Sequence, residues 1–358
     1  MKRSLWKGAA AALLTCALLL SGCGGPPAKE DALPLDAGGD RQNLPLGKPV
    51  TGPVPVVIDC DPGTDDAYAL ALAASCEQLA IRAVCAVQGN APLAHTGPNA
   101  LALCAYLGID CPGSQGAAAP LSREAVTAEY AHGSNGLGGV KLPDPGRAFD
   151  SLPAWDRLYQ EAVAAGGELQ VIALGPLTNV ATALQKYPDL PQYLAKITVM
   201  GSSLSGGNIT AQAEFNVYSD PEAWQVVLAS GVPLTVVGLD VTTKTYLSQD
   251  NLAVLLEKEG RASALLKGIA DYAATRSSQS GLTLNDALAV ASVVNPPVVT
   301  TQAADLRVQA RPGSGVDGKT TATNPKKGEE GNCQLALRVD NALFQAMLLR
   351  MMDFYAAG

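Results

Sequence analysis

Val56-Val57-Ile58-Asp59-Cys60-Asp61-Pro62-Gly63-Thr64-Asp65-Asp66 decides how this chain is read. An apolar run ends in four carboxylates gathered around a Pro-Gly turn, and a helix-like segment follows from Ala67 to Ala74. A buried strand that delivers acids from its carboxyl end, where a helix begins, puts them in the crevice where open α/β sheets bind ligands. One or two acids there would serve as helix caps, which the macrodipole favours. Four repel one another unless a cation shares them. An oxygen-only set with this much negative charge suits a hard divalent ion such as Ca²⁺ or Mg²⁺.

Outward from this stretch, apolar runs alternate with helix-like segments. Positions 56–59, 81–87, 169–173, 197–200 and 234–239 read as buried strands. Helices are expected near 65–75, 94–107, 177–186, 220–230 and 249–258. That order predicts βαβ units: an α/β fold with an open, mostly parallel sheet and helices on both faces. Segment 311–332 reads as a turn-rich loop, 334–339 as an edge strand and 342–354 as a closing amphipathic helix. No internal repeat is present.

The amino end carries Lys2, Arg3 and Lys7, then an apolar stretch over 9–20, then Leu20-Ser21-Gly22-Cys23. A basic start, a short apolar core and small residues describe an export signal. The apolar stretch is too short to span a membrane comfortably. Leu-Ser-Gly-Cys resembles the bacterial lipobox, in which the Cys is acylated and becomes the mature amino terminus. The expected organisation is a lipoprotein signal over 1–22, a flexible Gly/Pro/Ala/Asp-rich tether over 23–53 and a single catalytic domain over 54–358. The lipid on Cys23 would hold the protein on the outer face of the cell membrane.

Hydrophobic residues make up 47% of the chain and charged residues 16%, which suits a compact soluble body of about 300 residues. The net charge of −8 and the lack of a basic stripe argue against nucleic acid as a partner. Cys60, Cys76, Cys85, Cys104, Cys111 and Cys333 show no zinc spacing and read as buried small hydrophobes. Cys104 and Cys111 are one candidate disulfide pair.

Further polar clusters fall where strands end. They are Gln88-Gly89-Asn90, His132-Gly133-Ser134-Asn135-Gly136-Leu137-Gly138, Gly175-Pro176-Leu177-Thr178-Asn179, the stretch from Met200 through Asn208 to Glu214-Phe215-Asn216, Asp220-Pro221-Glu222-Ala223, and Asn285-Asp286-Ala287. Each alone is weak, since Gly and Asn at strand ends are usually turn residues. In this order, with the acidic opening over 59–66, they resemble the inosine-uridine-preferring nucleoside hydrolase family. The resemblance covers nearly all of 54–355.

The resemblance implies a nucleoside hydrolase-like fold and Ca²⁺-dependent cleavage of the N-glycosidic bond of ribonucleosides. It assigns the ion to Asp61, Asp66, the carbonyl of Leu174 and Asp286, with Asp61 also as the base for the attacking water. Asp65 and Asn90 would hold the ribose 2′ and 3′ hydroxyls. Met200, Asn208, Glu214, Phe215 and Asn216 would complete the sugar site, and Asp59 would support the inner acids. It also implies homodimers or homotetramers. Many members place a His immediately before the late metal Asp, as an acid for the leaving base. This chain has Asn285 there, which cannot donate a proton usefully near neutral pH. His132, in the matched loop, is the remaining candidate for the base, and His95 reads as a surface or capping residue.

Two other readings stand beside this one. A nucleoside- or ribose-capturing lipoprotein of the same fold would bind without efficient turnover, and the missing His favours it. A haloacid-dehalogenase-type phosphatase would use Asp59 and Asp61, but it wants Thr or Val where this chain has Gly63.

Overall fold

The computed structural model describes residues 53–276 and 281–357. In the first half, β1 (Val54–Cys60), α1 (Thr64–Ala74), β2 (Leu79–Ala86), α2 (Leu93–Leu107), β3 (Gly113–Gln115), α3 (Glu129–His132), α4 (Ala154–Ala164), β4 (Leu169–Ala173), α5 (Thr178–Lys186) and β5 (Leu194–Met200) follow one another. Then come α6 (Phe215–Ser219), α7 (Pro221–Leu228), β6 (Leu234–Val237), α8 (Leu239–Thr242), β7 (Leu247–Ser248), α9 (Gln249–Leu255) and α10 (Arg261–Arg276). The chain closes with β8 (Gly281–Leu282), α11 (Asn285–Val294), β9 (Val299–Val308), β10 (Thr320–Thr323), β11 (Cys333–Val339) and α12 (Asn341–Ala357).

Nine strands form one sheet in the order β10-β9-β11-β6-β5-β4-β1-β2-β3. All pairings from β3 across to β11 are parallel, while β9 runs antiparallel to both β11 and β10. The chain winds outward from β1 to β3, then returns to the other side of β1 to lay down β4, β5 and β6. The winding therefore reverses between β1 and β4, and ligands of such sheets bind outside the carboxyl ends at this switch.

Both faces of the sheet are covered, which explains why its strands read as unbroken apolar runs. Val56, Ile58 and Cys60 of β1 pack into a layer built with α1, α2, α10, α11 and α12. Val57, pointing the other way, joins a layer built with α4, α5 and α7 around Trp224. Helix α1 lies so deep that every residue from Thr64 to Ala73 is buried. Among the described residues, no helix is long and apolar enough to cross a membrane.

Several expectations need correction. The strand expected at an edge, β11, lies inside the sheet between β6 and β9. Segment 311–332 is not wholly loop, because Thr320–Thr323 add β10 to β9. Helix α12 is not one-sided: every residue from Leu343 to Leu349 is buried, since it packs among α1, α9, α10 and α11. The six cysteines outside the export segment are free, so Cys104 and Cys111 are not joined in a disulfide. Cys23 and the other signal and tether positions lie outside the described residues.

Candidate active site

Strand β1 ends at the switch point, and the acids that follow it are buried there. Asp59 points into the α5 layer, where its Oδ1 accepts Asn179 Nδ2 at 2.7 Å. Asp61 Oδ2 accepts the Asn90 amide at 2.7 Å. Three glycines let backbone close around these groups. A Cβ on Gly89 or Gly175 would lie 2.0 or 2.6 Å from an Asp61 carboxylate oxygen, and one on Gly63 would lie 2.6 Å from His132 Nδ1. Gly63 caps α1 in an extended conformation, and Asp66 Oδ2 reaches back to its amide at 2.8 Å and to Asn90 Nδ2 at 3.1 Å.

Asp65 and Asp66 from the first turn of α1 meet Asp286 from the first turn of α11, with one carboxylate oxygen from each within 4.8 Å of the others. Asp61 stands beside this trio. The Leu174 carbonyl, at the end of β4, accepts Asn216 Nδ2 at 2.7 Å. Asp61 Oδ1, Asp65 Oδ1 and Asp66 Oδ1 are buried and without partners. Burial, reinforced by repulsion from neighbouring acids, pushes the Asp66 carboxyl up to about 7 and holds Asp61 and Asp286 well above the usual carboxylate range. Burial alone raises Asp59 to about 7, against the pull of Asn179. Orphaned hard oxygens crowded in a dry site fit a divalent cation, whose charge would relieve the repulsion among the acids.

Above the acids lies a cavity of about 150 Å³. Asp65, Asp286, Asn90, His132, Leu174, Asn285, Met200, Asn208, Glu214, Phe215 and Asn216 line it. Glu214 caps α6 and accepts the amides of Asn216, Val217 and Ser202 at 3.0, 3.1 and 3.2 Å, yet burial still raises its carboxyl to about 7. Asn216 Nδ2 also touches the Met200 carbonyl and sulfur, and Asn208 Oδ1 accepts the Phe215 amide at 2.8 Å. His132 Nδ1 accepts the Thr64 amide at 3.1 Å, and burial lowers the imidazole below its ordinary value. Asn285 Nδ2 donates to Asp65 Oδ2 at 3.1 Å, leaving its Oδ1 without a partner.

The expected cavity residues are thus gathered from eight separate stretches of chain. Asp59 is not on the cavity, and His95 is exposed at the start of α2. Asp220, quoted within its motif, is structural: it caps α7 at Ala223 and accepts Thr178 Oγ1 and the Leu121 amide. Sequence reading passed over Thr64, Asn179 and Tyr130. Asn179 lay in a quoted motif and Thr64 inside the opening one, so the signal was present without a partner to interpret it. Tyr130 stands half-exposed at the cavity mouth. Ser202, with φ +80, is the one described non-glycine residue in the left-handed region, directly behind Glu214. A larger depression of about 920 Å³ along α9 and α10 contains none of the clustered acids and is not the site of their chemistry.

A parallel α/β sheet carrying an acidic cation cradle and a small polar cavity at its switch point defines an enzyme for a small hydroxylated substrate. The chain matches the family described as inosine-uridine preferring nucleoside hydrolase over residues 56–346, and it belongs to that family. It is 34% identical over 293 residues to the non-specific ribonucleoside hydrolase RihC of Escherichia coli O1:K1, covering 82% of this chain and 96% of that one. Among solved structures, a plant nucleoside hydrolase, PpNRh1, aligns with a TM-score of 0.79 at 28% identity, over 84% of this chain and 99% of the other. The purine-preferring ribonucleoside hydrolase from Gardnerella vaginalis aligns with a TM-score of 0.78 at 28% identity, over 85% and 100%. The protein is a nucleoside hydrolase by family and fold.

Proposed function

We propose that this protein hydrolyses ribonucleosides to free base and ribose in a Ca²⁺-dependent reaction. The observation that carries the reading is the trio Asp65, Asp66 and Asp286, in which Asp65 and Asp66 carry partnerless buried oxygens, beside a cavity that Asn208, Glu214 and Asn216 also line. Asp66 and Asp286, with Asp61 and the Leu174 carbonyl beside them, would hold the cation. When bound, a divalent cation neutralises the carboxylate cluster and acidifies water. Asp61, desolvated and one oxygen short of partners, takes the proton of the attacking water. Asp65 and Asn90 orient the ribose diol, and Asn208, Glu214 and Asn216 hold the rest of the sugar. As the glycosidic bond breaks, positive charge grows on the ribose ring, and this ring of acids stabilises it.

The test is a nucleoside panel assayed for reducing sugar with and without chelator. Asp66→Asn or Asp286→Asn should abolish Ca²⁺ binding and lower turnover by at least about 100-fold, with the fold retained by circular dichroism. Full activity after verified metal removal would sink the Ca²⁺ requirement.

One observation favours a second reading, capture without efficient turnover. Asn285 donates to Asp65 and carries no transferable proton, so position 285 supplies no acid for a leaving base. Tight nucleoside binding by calorimetry without release of sugar would select that reading.

We infer further that Cys23 is lipidated and tethers the domain to the outer face of the cell membrane. Cys23→Ala should move the protein from the membrane fraction to a soluble or unprocessed form. Mass spectrometry finding an unmodified mature amino terminus elsewhere would refute this.

A further inference from the structure

We infer that Thr64 is a positioning residue that fixes His132 as the neutral Nε2–H tautomer and turns that N–H toward the leaving base. This rests on the nucleoside hydrolase reading above. Thr64 is the first residue of α1, where backbone N–H groups have no partner within the helix. Its amide instead points at His132 Nδ1, 3.1 Å away, and its Oγ1 lies 2.9 Å from the same nitrogen. An N–H aimed at an imidazole nitrogen needs a lone pair there, so Nδ1 carries no hydrogen. A neutral ring then bears its single proton on Nε2. Asp65 Oδ1, at 3.8 Å from Nδ1, is too distant to reverse this assignment. The approach is possible only because Gly63 has no Cβ, which would otherwise stand 2.6 Å from Nδ1.

The other nitrogen, Nε2, makes no hydrogen bond among the described residues, and His132 lines the cavity. It therefore offers one N–H to a ligand in that cavity. Asn285, which also lines the cavity, has an acceptor oxygen without a partner. When the glycosidic bond breaks heterolytically, its electron pair stays on the base. A fixed N–H aimed at a ring nitrogen or carbonyl beside the glycosidic nitrogen stabilises that growing negative charge without transferring its proton. This is electrostatic stabilisation by a preorganised donor. It gives Thr64, inside the acidic opening, a task in leaving-group stabilisation.

The chain has two histidines, so imidazole ¹⁵N correlation spectra of the Ca²⁺-loaded protein at pH 8 resolve the question directly. His132 should show the Nε2–H pattern in the wild type; a dominant Nδ1–H pattern would overturn the inference. Thr64→Pro removes both donors to Nδ1, the amide and the hydroxyl, while Pro suits the first helical position and the extended Gly63 suits the residue before Pro. In that variant the tautomers should mix, and kcat on inosine should fall about tenfold with KM little changed. The loss on p-nitrophenyl riboside should be smaller, because that leaving group needs no donor. Thr64→Val should give an intermediate effect, and Thr64→Ser, which keeps both donors, should restore the wild-type ratio. An unchanged tautomer and unchanged substrate ratio in both Thr64→Pro and Thr64→Val would refute the role of Thr64. A wild type showing Nε2–H yet cleaving no nucleoside would refute the hydrolase reading and, with it, the leaving-base role. The tautomer assignment would stand.

Discussion

Asn285 shows how one side chain can be read two ways. By type it is a missing acid; by contact it is a support for Asp65, whose carboxyl oxygen accepts its Nδ2 at 3.1 Å. Asn285→His separates the two. An imidazole there supplies an acid, and general acid catalysis is typically worth about 10²–10⁴-fold. The ratio of inosine to p-nitrophenyl riboside cleavage should therefore rise at least about tenfold, even as KM rises for both through weaker support of Asp65. An unchanged ratio, with only KM affected, would leave position 285 as a support alone. The departure at 285 was legible in the sequence, but its partner lies 220 positions away and no spacing rule connects them. Asp61, Asp65 and Asp66 were legible for the opposite reason: strand, turn and helix bring them together locally.

At the scale of elements, buried parallel strands announced themselves. β1, β2, β4, β5 and β6 are continuous apolar runs because both faces are covered. β9 and β10 were not read because their residues are mixed and rich in Thr, with much of β9 facing solvent. Helix α4 buries only Ala154, Arg157, Leu158 and Ala162, too thin a stripe to stand out. The unread β10 nonetheless touches the site. Its Thr320 hydroxyl accepts the Ser203 amide at 3.1 Å, donates to the Ser203 carbonyl at 2.6 Å and meets Ser202 Oγ at 3.1 Å. These bonds hold Ser202 in its left-handed conformation, from which its amide reaches Glu214. Thr320→Val leaves buried polar groups at 202–203 unpaired and should cost about 1–3 kcal/mol of stability. It should also raise KM for ribonucleosides, through Glu214. Denaturant unfolding and steady-state kinetics check the two effects, and wild-type behaviour in both would show that β10 does not support the site.

For the whole molecule, the crowded acids tie stability to pH. Asp59, Asp61, Asp66, Asp286 and Glu214 are all held above their ordinary values, so the folded state binds more protons than the unfolded chain between about pH 4 and 7. Their contribution is complete below about pH 4 and is lost as pH rises toward 7. His132, lowered by burial, works in the opposite sense, but as one group against five. In chelator, the midpoint of thermal unfolding should therefore be lower at pH 7.5 than at pH 5. Added Ca²⁺ should raise it, and more so at the higher pH, because the cation replaces protons. A midpoint that climbs with pH in chelator would contradict this account. The order of motifs along the chain made the whole-molecule plan legible. The closing order of the sheet, with β11 inside β9, was not, since pairing between distant strands leaves no local mark.

The burial of α1 has a consequence for how the molecule breathes. Helix α1 is enclosed by α2, α10, α11 and α12, with no solvent-facing residue from Thr64 to Ala73. Its amides can meet deuterium only when those neighbours part, which amounts to opening the whole domain. Asp65 and Asp66 are therefore expected to ride on slowly exchanging backbone, while partners such as Asn208 stand on an irregular segment nearer solvent. Deuterium uptake over 64–73 should lag behind every other helix and change little when substrate binds, with protection appearing over 203–213 instead. Fast uptake in α1 would mean that the acidic cradle is assembled by its ligands rather than waiting for them.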